Sequence, residues 1–223
     1  MIIAIDGPSG SGKSTVSKLV AQRNGLAYLD TGAMFRAAAW WAHRGGIDLD
    51  DQAAVEEATK EMPFTPPLDP LDQTFVLDGV DITSAIREPS LSRVVSKVAV
   101  NLGVRAELLR RQREVIAAEQ RGGFSGGAGI VAEGRDITTV VVPEADVRVL
   151  LTASEEARLA RRAREVRGDA SDAAIEATRA EIVDRDKADS TVSEFMHAAD
   201  GVTTIDSSAL TIDQVVDAIQ SLM

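Results

Sequence analysis

The chain opens on an apolar run that ends in an acid and gives way at once to a glycine-rich loop. Residues 1–6 read MIIAID and residues 7–14 read GPSGSGKS. An apolar run without polar alternation is a strand buried on both faces, as in a parallel sheet. The loop fits G-x-x-x-x-G-K-[ST], and Val16, Leu19 and Val20 then recur at helical spacing between Lys13 and Arg23. Strand, loop and helix in this order place backbone N–H groups and the positive end of the helix around one anion. Glycine is needed there because a Cβ would block that approach. Gly7, Ser9, Gly10, Ser11, Gly12, Lys13, Ser14 and Thr15 form the expected cradle. Lys13 is expected to reach the β- and γ-phosphates, and the Ser14 hydroxyl to ligate Mg²⁺. The motif specifies nucleoside triphosphate binding, with ATP and Mg²⁺ as the expected pair, but not what is done with the nucleotide.

The rest of the chain reads as a doubly wound α/β sheet. A short strand is expected at 27–29, with Thr31 as the cap of a helix running to Arg44. Residues 62–72 hold Pro63, Pro66, Pro67 and Pro70, which exclude helix and central strand. Phe75 and Leu77, then Asp78-Gly79, then Val80 and Ile82 make a β-hairpin signal. A hairpin in a parallel fold suggests an insertion, placed at 62–100. Two helices are expected between Pro89 and Arg121, broken near 101–103. A glycine-rich connector follows at 122–129, then strands at 130–133, 147–153 and 202–206. Ser154 caps a helix to about Arg167, a further helix covers Ala173 to Asp186, and an amphipathic helix ends the chain.

Composition narrows the function classes. Lys plus Arg is 24 and Asp plus Glu is 35, for a net charge of −11. That balance argues against a nucleic-acid coat or an anionic membrane surface, which need a broad basic face. The basic residues are 19 Arg against 5 Lys, and Arg is the residue that grips phosphates and carboxylates with a planar fork. With no cysteine, disulfides, Cys-based zinc sites and thiol nucleophiles are excluded. No apolar stretch approaches the ~18 residues of a membrane span, and no basic, apolar leader is legible. A cytoplasmic chain, acting as a monomer, is the expectation. His43 and His197 stand apart with no ligand-like neighbours, so no histidine metal pair is expected.

Four segments point to a second anion site. In LDTGAMFR (29–36), Arg36 sits close enough to the helix start to reach an anion there, although a capping Thr31 and a solvated Arg36 fit equally. In EGRD (133–136), Arg135 and Asp136 stand at a strand end, facing the ligand crevice of such a sheet; a mutual ion pair that shapes the turn is the alternative. Arg158, Arg161, Arg162, Arg164 and Arg167 fall within ten residues, against one acid, Glu165. Arg158, Arg161 and Arg162 share a helix face, and Glu155 and Glu165 cannot neutralise the whole cluster. A solvated charged face is the alternative. In VRAELLRRQR (104–113), Arg105 lies near a helix start, and the other arginines fit a surface face.

Taken together, IDGPSGSGKST, LDTGAMFR, SKVA, VRAELLRRQR, AEGRDITTVVVPEADV, the Arg-rich segment and RDKADS occur in one order that resembles the bacterial cytidylate kinases over nearly the whole chain. The resemblance implies a P-loop NTPase-type doubly wound sheet with an inserted monophosphate-binding subdomain at 62–100 and an Arg-rich helical lid at 158–189. The core would be 1–61, 101–157 and 190–223. It implies ATP-dependent phosphorylation of CMP and dCMP. Arg36 and Arg135 would hold the acceptor phosphate. Ser96, Arg105 and Asp136 would read the cytosine edge, with Thr31 beside it. Asp189 would bind the ribose, and Arg158, Arg161, Arg162 and Arg185 would belong to the lid.

Elementary chemistry agrees with that assignment. A carboxylate accepts from the cytosine N4 amino group, and an Arg donates to N3 or O2. Three positions depart from the family pattern: Val192 where an Arg is common, Thr138 for a Gly and Phe35 for a Tyr. Glu133 and Asp6 are both candidates to orient Mg²⁺-bound water. Other acceptors, such as UMP, AMP or shikimate, and a nucleotide-sensing module without transfer, are the competing readings. Of Trp40 and Trp41, adjacent on a helix and ~100° apart, only one is expected to face the core.

Overall fold

The run IIAID forms β1 (Ile2–Asp6), buried along its whole length. A computed structural model of the chain describes residues 1–169 and 171–223; the side chains at 92, 93, 165–167, 172, 177, 180, 181, 184 and 185 lie outside the described residues. β1 pairs in parallel on one side with β5 (Ile130–Gly134) and on the other with β6 (Val147–Thr152). β2 (Ala27–Asp30) extends the sheet beyond β5, and β7 (Thr203–Asp206) beyond β6. The order is therefore β2-β5-β1-β6-β7. The chain leaves β1 in one direction to β2 and returns to its other side at β6, so a topological switch point opens at the carboxyl end of β1.

Both faces of the sheet are covered, which makes the fold doubly wound. Ile3, Ile5, Tyr28, Val131 and Val149 pack with α1 (Lys13–Asn24) and α8 (Ile212–Gln220). Ile2, Ala4, Leu29 and Ala132 face the other way. They pack with α2 (Thr31–Arg44), α3 (Gln52–Glu61), α4 (Pro89–Ala99) and α5 (Leu102–Gln120). The alternation of Ile2 and Ala4 against Ile3 and Ile5 is the period-2 pleat of a strand whose two faces are both apolar. The arginine-rich α6 (Glu155–Arg167) and α7 (Asp172–Asp189) pack on each other. No helix among the described residues is long and apolar enough to cross a membrane.

The expected hairpin is present as β3 (Val76–Leu77) and β4 (Val80–Asp81), with Leu77 opposite Val80. Asp78 and Gly79 have φ of 51° and 73°, the two left-handed residues of a type I′ turn. Phe75, Leu77, Ile82, Ile86 and Val95 from this segment join the same apolar cluster as the sheet face. Asn101 divides α4 from α5, and its side chain accepts from the N–H groups of Gly103 and Val104. Ser154 caps α6 by accepting from Ala157 N–H.

Several expectations change. The cap of α2 is Asp30, whose Oδ1 accepts from Ala33 N–H at 2.7 Å, and not Thr31. Thr31 is the first helical residue and donates to the Glu133 carbonyl at 2.7 Å, tying α2 to β5. α3 was not legible among the acids of 46–61; Asp51 caps it. Residues 137–141 form one π-helical turn, a geometry that periodicity does not announce. Trp40 and Trp41 both pack, half-buried, on one apolar cluster. This is possible because α3, α4 and α5 wrap α2 on several sides.

Candidate active site

The loop after β1 turns through three left-handed glycines, Gly7, Gly10 and Gly12, at φ of 153°, 77° and 94°. A Cβ on Gly7 would stand 2.1 Å from the Leu151 carbonyl oxygen, and one on Gly10 2.7 Å from that of Arg158. The glycines thus let the loop press against β6 and α6 as well as turn. Gly12 starts α1 with no side-chain cap and no acid in the first turn, whereas α2, α3, α5, α6, α7 and α8 each carry a side-chain cap. The positive end of α1 is thereby kept for a ligand anion.

A cavity of about 540 Å³ opens in front of this loop. Its walls include Ser9, Gly10, Gly12, Lys13, Ser14 and Thr15 of the loop, together with Arg36, Arg135 and Arg162. Lys13 Nζ donates to the Pro8 carbonyl at 2.9 Å. Ser14 donates to Glu133 Oε1 at 2.5 Å, and the Tyr28 hydroxyl donates to the same oxygen at 2.9 Å. Burial pushes the Glu133 carboxyl up, and the charge of Asp30 adds to that shift. Burial, followed by the charges of Glu133 and Asp30, pushes the Tyr28 phenol well up. The oxygen set of Ser14 and Glu133, with Asp30 close by, suits a hard divalent cation, whose charge would relieve the crowding of carboxylates. Asp6, the other candidate, is otherwise engaged. It accepts from Ile137 N–H, Thr138 N–H and Thr138 Oγ1 at 2.9, 2.8 and 2.7 Å, pinning the π-turn. The Thr138 that replaces a family glycine thus acquires a structural bond.

The acceptor-side residues converge from four elements. Arg36, on the first turns of α2, pairs with Asp30 Oδ2 at 3.0 Å. Arg135, just past β5, pairs with Asp186 Oδ1 at 2.8 Å and Asp189 Oδ2 at 2.6 Å, and lies 4.3 Å over the Phe195 ring. Two donors on these arginines, Arg36 Nε and Arg135 Nη1, are buried without a hydrogen-bond acceptor among the described residues. A buried donor in that state is costly, and a phosphate oxygen would satisfy each. Arg105 and Asp136 are brought together from α5 and the β5 end and bond directly. Arg105 also donates to the Ala99 carbonyl at 3.2 Å and Ser193 Oγ at 2.8 Å, and lies 5.9 Å over the Phe35 ring. Burial pushes the Asp136 carboxyl up, against the pull of Arg105. Ser96 stands half-buried on α4, one turn before Ala99.

The arginines of α6 divide their work. Arg158 is buried and donates to the Ser9 carbonyl at 2.9 Å and to Asp186 Oδ2 at 2.5 Å. Arg161 donates to the Ser11 carbonyl at 3.3 Å and to Ser207. Arg162 lines the cavity. Glu155 does not neutralise Arg158; it pairs across to Arg179 on α7. The side chains of Arg167 and Arg185 lie outside the described residues. Arg111 and Arg113 are fasteners: Arg111 donates to the carbonyls of Thr59, Lys60 and Met62 at the end of α3, and Arg113 to those of Val140 and Val141.

Two further cations, Lys18 and Arg87, line the cavity. Lys18 sits one turn beyond Ser14 on α1, and Arg87 stands just before α4. Burial, then the charge of Arg87, pulls the Lys18 ammonium down. Helical spacing from the loop could have found Lys18; nothing local marks Arg87. Asp186, near the end of α7, joins the cavity residues Ser9 and Arg135 from behind the walls, and the sequence marks it only as a helix end. His43 and His197 are exposed and far from the cavity, and no cluster of three or more His, Cys, Asp or Glu able to hold a metal occurs among the described residues.

A glycine-rich anion cradle at the switch point of a parallel sheet, faced by arginines from separate elements, defines a P-loop phosphotransferase. A family model described as cytidylate kinase matches residues 3–223. The cytidylate kinase of Streptomyces avermitilis is 40% identical over 224 residues, covering 100% of this chain and 92% of its own length. That of Cutibacterium acnes is 46% identical over 227 residues, covering 100% and 96%. That of Desulforamulus reducens is 47% identical over 219 residues, covering 97% and 94%. The chain belongs to the cytidylate kinase family.

Proposed function

We propose that this enzyme transfers the γ-phosphoryl group of ATP to CMP and dCMP, giving CDP and dCDP. The observation that carries the reading is the pair of donors on Arg36 and Arg135, buried and unsatisfied among the described residues, in the cavity that Lys13 also lines. They form a second anion site in that cavity. A nucleotide-sensing module has no need of that second site. The Arg105–Asp136 pair offers a donor and an acceptor, which matches the cytosine edge and mismatches uracil.

The acceptor phosphate oxygen is already anionic, so the protein supplies position and charge in place of a strong base. Gly7 to Thr15 hold the triphosphate, and Lys13 neutralises its terminal charge. Arg36 and Arg135 fix the acceptor phosphate in line. Arg158, Arg161 and Arg162 add positive charge where negative charge spreads in transfer. Arginines delivered this way contribute about 10³–10⁵ in rate in related reactions. Ser14 and Glu133 would hold Mg²⁺, which when bound screens the β- and γ-phosphates. Asp189 and Arg185 complete the ribose and phosphate contacts on this reading. Segments 62–100 and 158–189 close over the core and exclude water, which limits hydrolysis of ATP. We place the enzyme in the cytoplasm, acting as a monomer.

A coupled ADP-release assay over CMP, dCMP, UMP, AMP and shikimate tests this. CMP and dCMP are expected to turn over fastest. Faster turnover of AMP would remove Arg105 and Asp136 from base reading, and ATP binding without acceptor-stimulated ADP release would favour the sensing module.

A further inference from the structure

Asp186 lies near the end of α7 and is buried against the phosphate loop. Its carboxylate is ringed by donors of the kind a phosphate would take. Oδ1 accepts from the Ser9 backbone N–H at 3.1 Å and pairs with Arg135 Nη2 at 2.8 Å. Oδ2 pairs with Arg158 Nη1 at 2.5 Å, and the same nitrogen donates to the Ser9 carbonyl at 2.9 Å. One acid therefore joins the phosphate loop, the end of β5 and the Arg-rich helix.

We propose that Asp186 is an internal stand-in for a nucleotide phosphate. It is a positioning residue whose carboxylate holds Arg135, Arg158 and one loop N–H in the nucleotide-free enzyme, and yields Arg158 and the loop N–H to the triphosphate and Arg135 to the acceptor phosphate. The inference rests on the phosphate loop binding a triphosphate, not on the identity of the acceptor. Carboxylate and phosphoryl oxygens accept from guanidinium and backbone N–H groups in the same way. Without an anion between them, Arg135 and Arg158 would repel each other at close range in a site of low dielectric. Asp186 removes that repulsion and keeps both side chains near the positions in which they are used.

The exchange is permitted by what remains. Arg135 keeps Asp189 at 2.6 Å and the Phe195 ring at 4.3 Å when Asp186 withdraws. Arg158 keeps the Ser9 carbonyl. Asp186, by contrast, meets like charge from the incoming triphosphate and is driven off with the end of α7. A ligand that must displace an internal competitor binds with its affinity reduced by the fraction of protein already competent. Nucleotide entry is thereby coupled to movement of the Arg-rich segment.

The test is Asp186→Asn, with binding of ATP and of inorganic tripolyphosphate measured by calorimetry in the absence of acceptor. Removing the competing charge should tighten both by roughly fivefold or more, following that displacement logic. At the same time kcat should fall, because two arginines lose the group that orients them. Asp186→Glu, which restores the charge, should bring affinity back toward that of the unaltered protein. Unchanged or weaker binding in a folded Asp186→Asn protein overturns the proposal, since a merely structural role gives that result. If that variant does not fold, the unaltered protein decides. With ¹³C-carboxyl aspartate labelling, the Asp186 signal should move together with the Ser9 amide as tripolyphosphate is added. An Asp186 signal that stays fixed while Ser9 moves overturns it. Tripolyphosphate carries no base, so failure here is separable from failure of the CMP reading, which the acceptor panel reports.

Discussion

Asp136→Asn isolates base recognition from folding, because Arg105 does not depend on Asp136 alone. In the wild type Arg105 is held by Asp136, by the Ala99 carbonyl at 3.2 Å, by Ser193 Oγ at 2.8 Å and by the Phe35 ring. Asparagine keeps the shape and one acceptor oxygen, so the guanidinium stays in place and the stability loss should be small, about 1 kcal/mol. The cytosine amino group loses more. One hydrogen bond to a charged acceptor is worth about 1.5–3 kcal/mol, or about 10- to 150-fold. The new amide can also donate to a carbonyl at the same position of uracil. The expected outcome is a 10- to 150-fold fall in kcat/KM for CMP and dCMP, by that same conversion, with UMP unchanged or improved. The CMP-to-UMP ratio collapses by about the same factor. Steady-state coupled assays with the three nucleotides, on protein whose melting is checked first, measure this. A variant that loses activity equally on CMP and UMP would refute the reasoning, because Asp136 would then serve the turn and not the base.

Arg135→Ala should raise the acceptor KM far more than the ATP Kd. Equal loss on both would take Arg135 out of the acceptor site. Because it removes one of the partners of Asp186 and of Asp189, the variant should also lose about 1–3 kcal/mol of stability, read by chemical denaturation. Gly7→Ala should cost about 1–3 kcal/mol of backbone strain and abolish ATP binding, since its Cβ meets the Leu151 carbonyl 2.1 Å away; retained nanomolar-to-micromolar binding in a titration would show that the loop can shift. Glu107 predicts a pH effect. Hydrogen bonds from Arg110, then Arg111, hold its carboxyl down to about 2 from 4.5. A folded pKa below the unfolded one gives stability that is present above about 4.5 and lost as pH falls toward about 2. The melting difference between wild type and Glu107→Gln should therefore be full at pH 6 and vanish on approaching pH 2; a constant difference would contradict it.

The phosphate loop was legible because everything it needs is local. An apolar strand, glycines at fixed offsets and a helix start occupy consecutive residues, so 1–24 carries its own geometry. The same holds for the Asp78-Gly79 hairpin, for the break between helices at 101–103 and for the Ser154 cap, which residues close in the chain decide. Parallel pairing followed from the apolar runs at 2–6, 130–134 and 147–152, which only a sheet covered on both faces can bury. The arginine excess also finds a counterpart in the structure, where Arg36, Arg87, Arg135 and Arg162 line one cavity.

What the sequence left open are choices between partners far apart in the chain. Thr31 and Asp30 are both competent caps, and the choice fell to Asp30 because β5 offers Thr31 the Glu133 carbonyl. Asp6 and Glu133 are equivalent strand-end acids until the 137–138 turn arrives and places three donors on Asp6. Of five clustered arginines, the tertiary structure sends Arg158 to Asp186, 28 residues on, and Arg161 to Ser207, 46 residues on. Lys18 and Arg87 become cavity residues only once the fold closes around them. A side chain's local options are set by chain chemistry and spacing. Which option it takes is set by the donors and acceptors that folding brings within about 3 Å, and this fold brings Asp186 there, midway between its arginines and the phosphate loop.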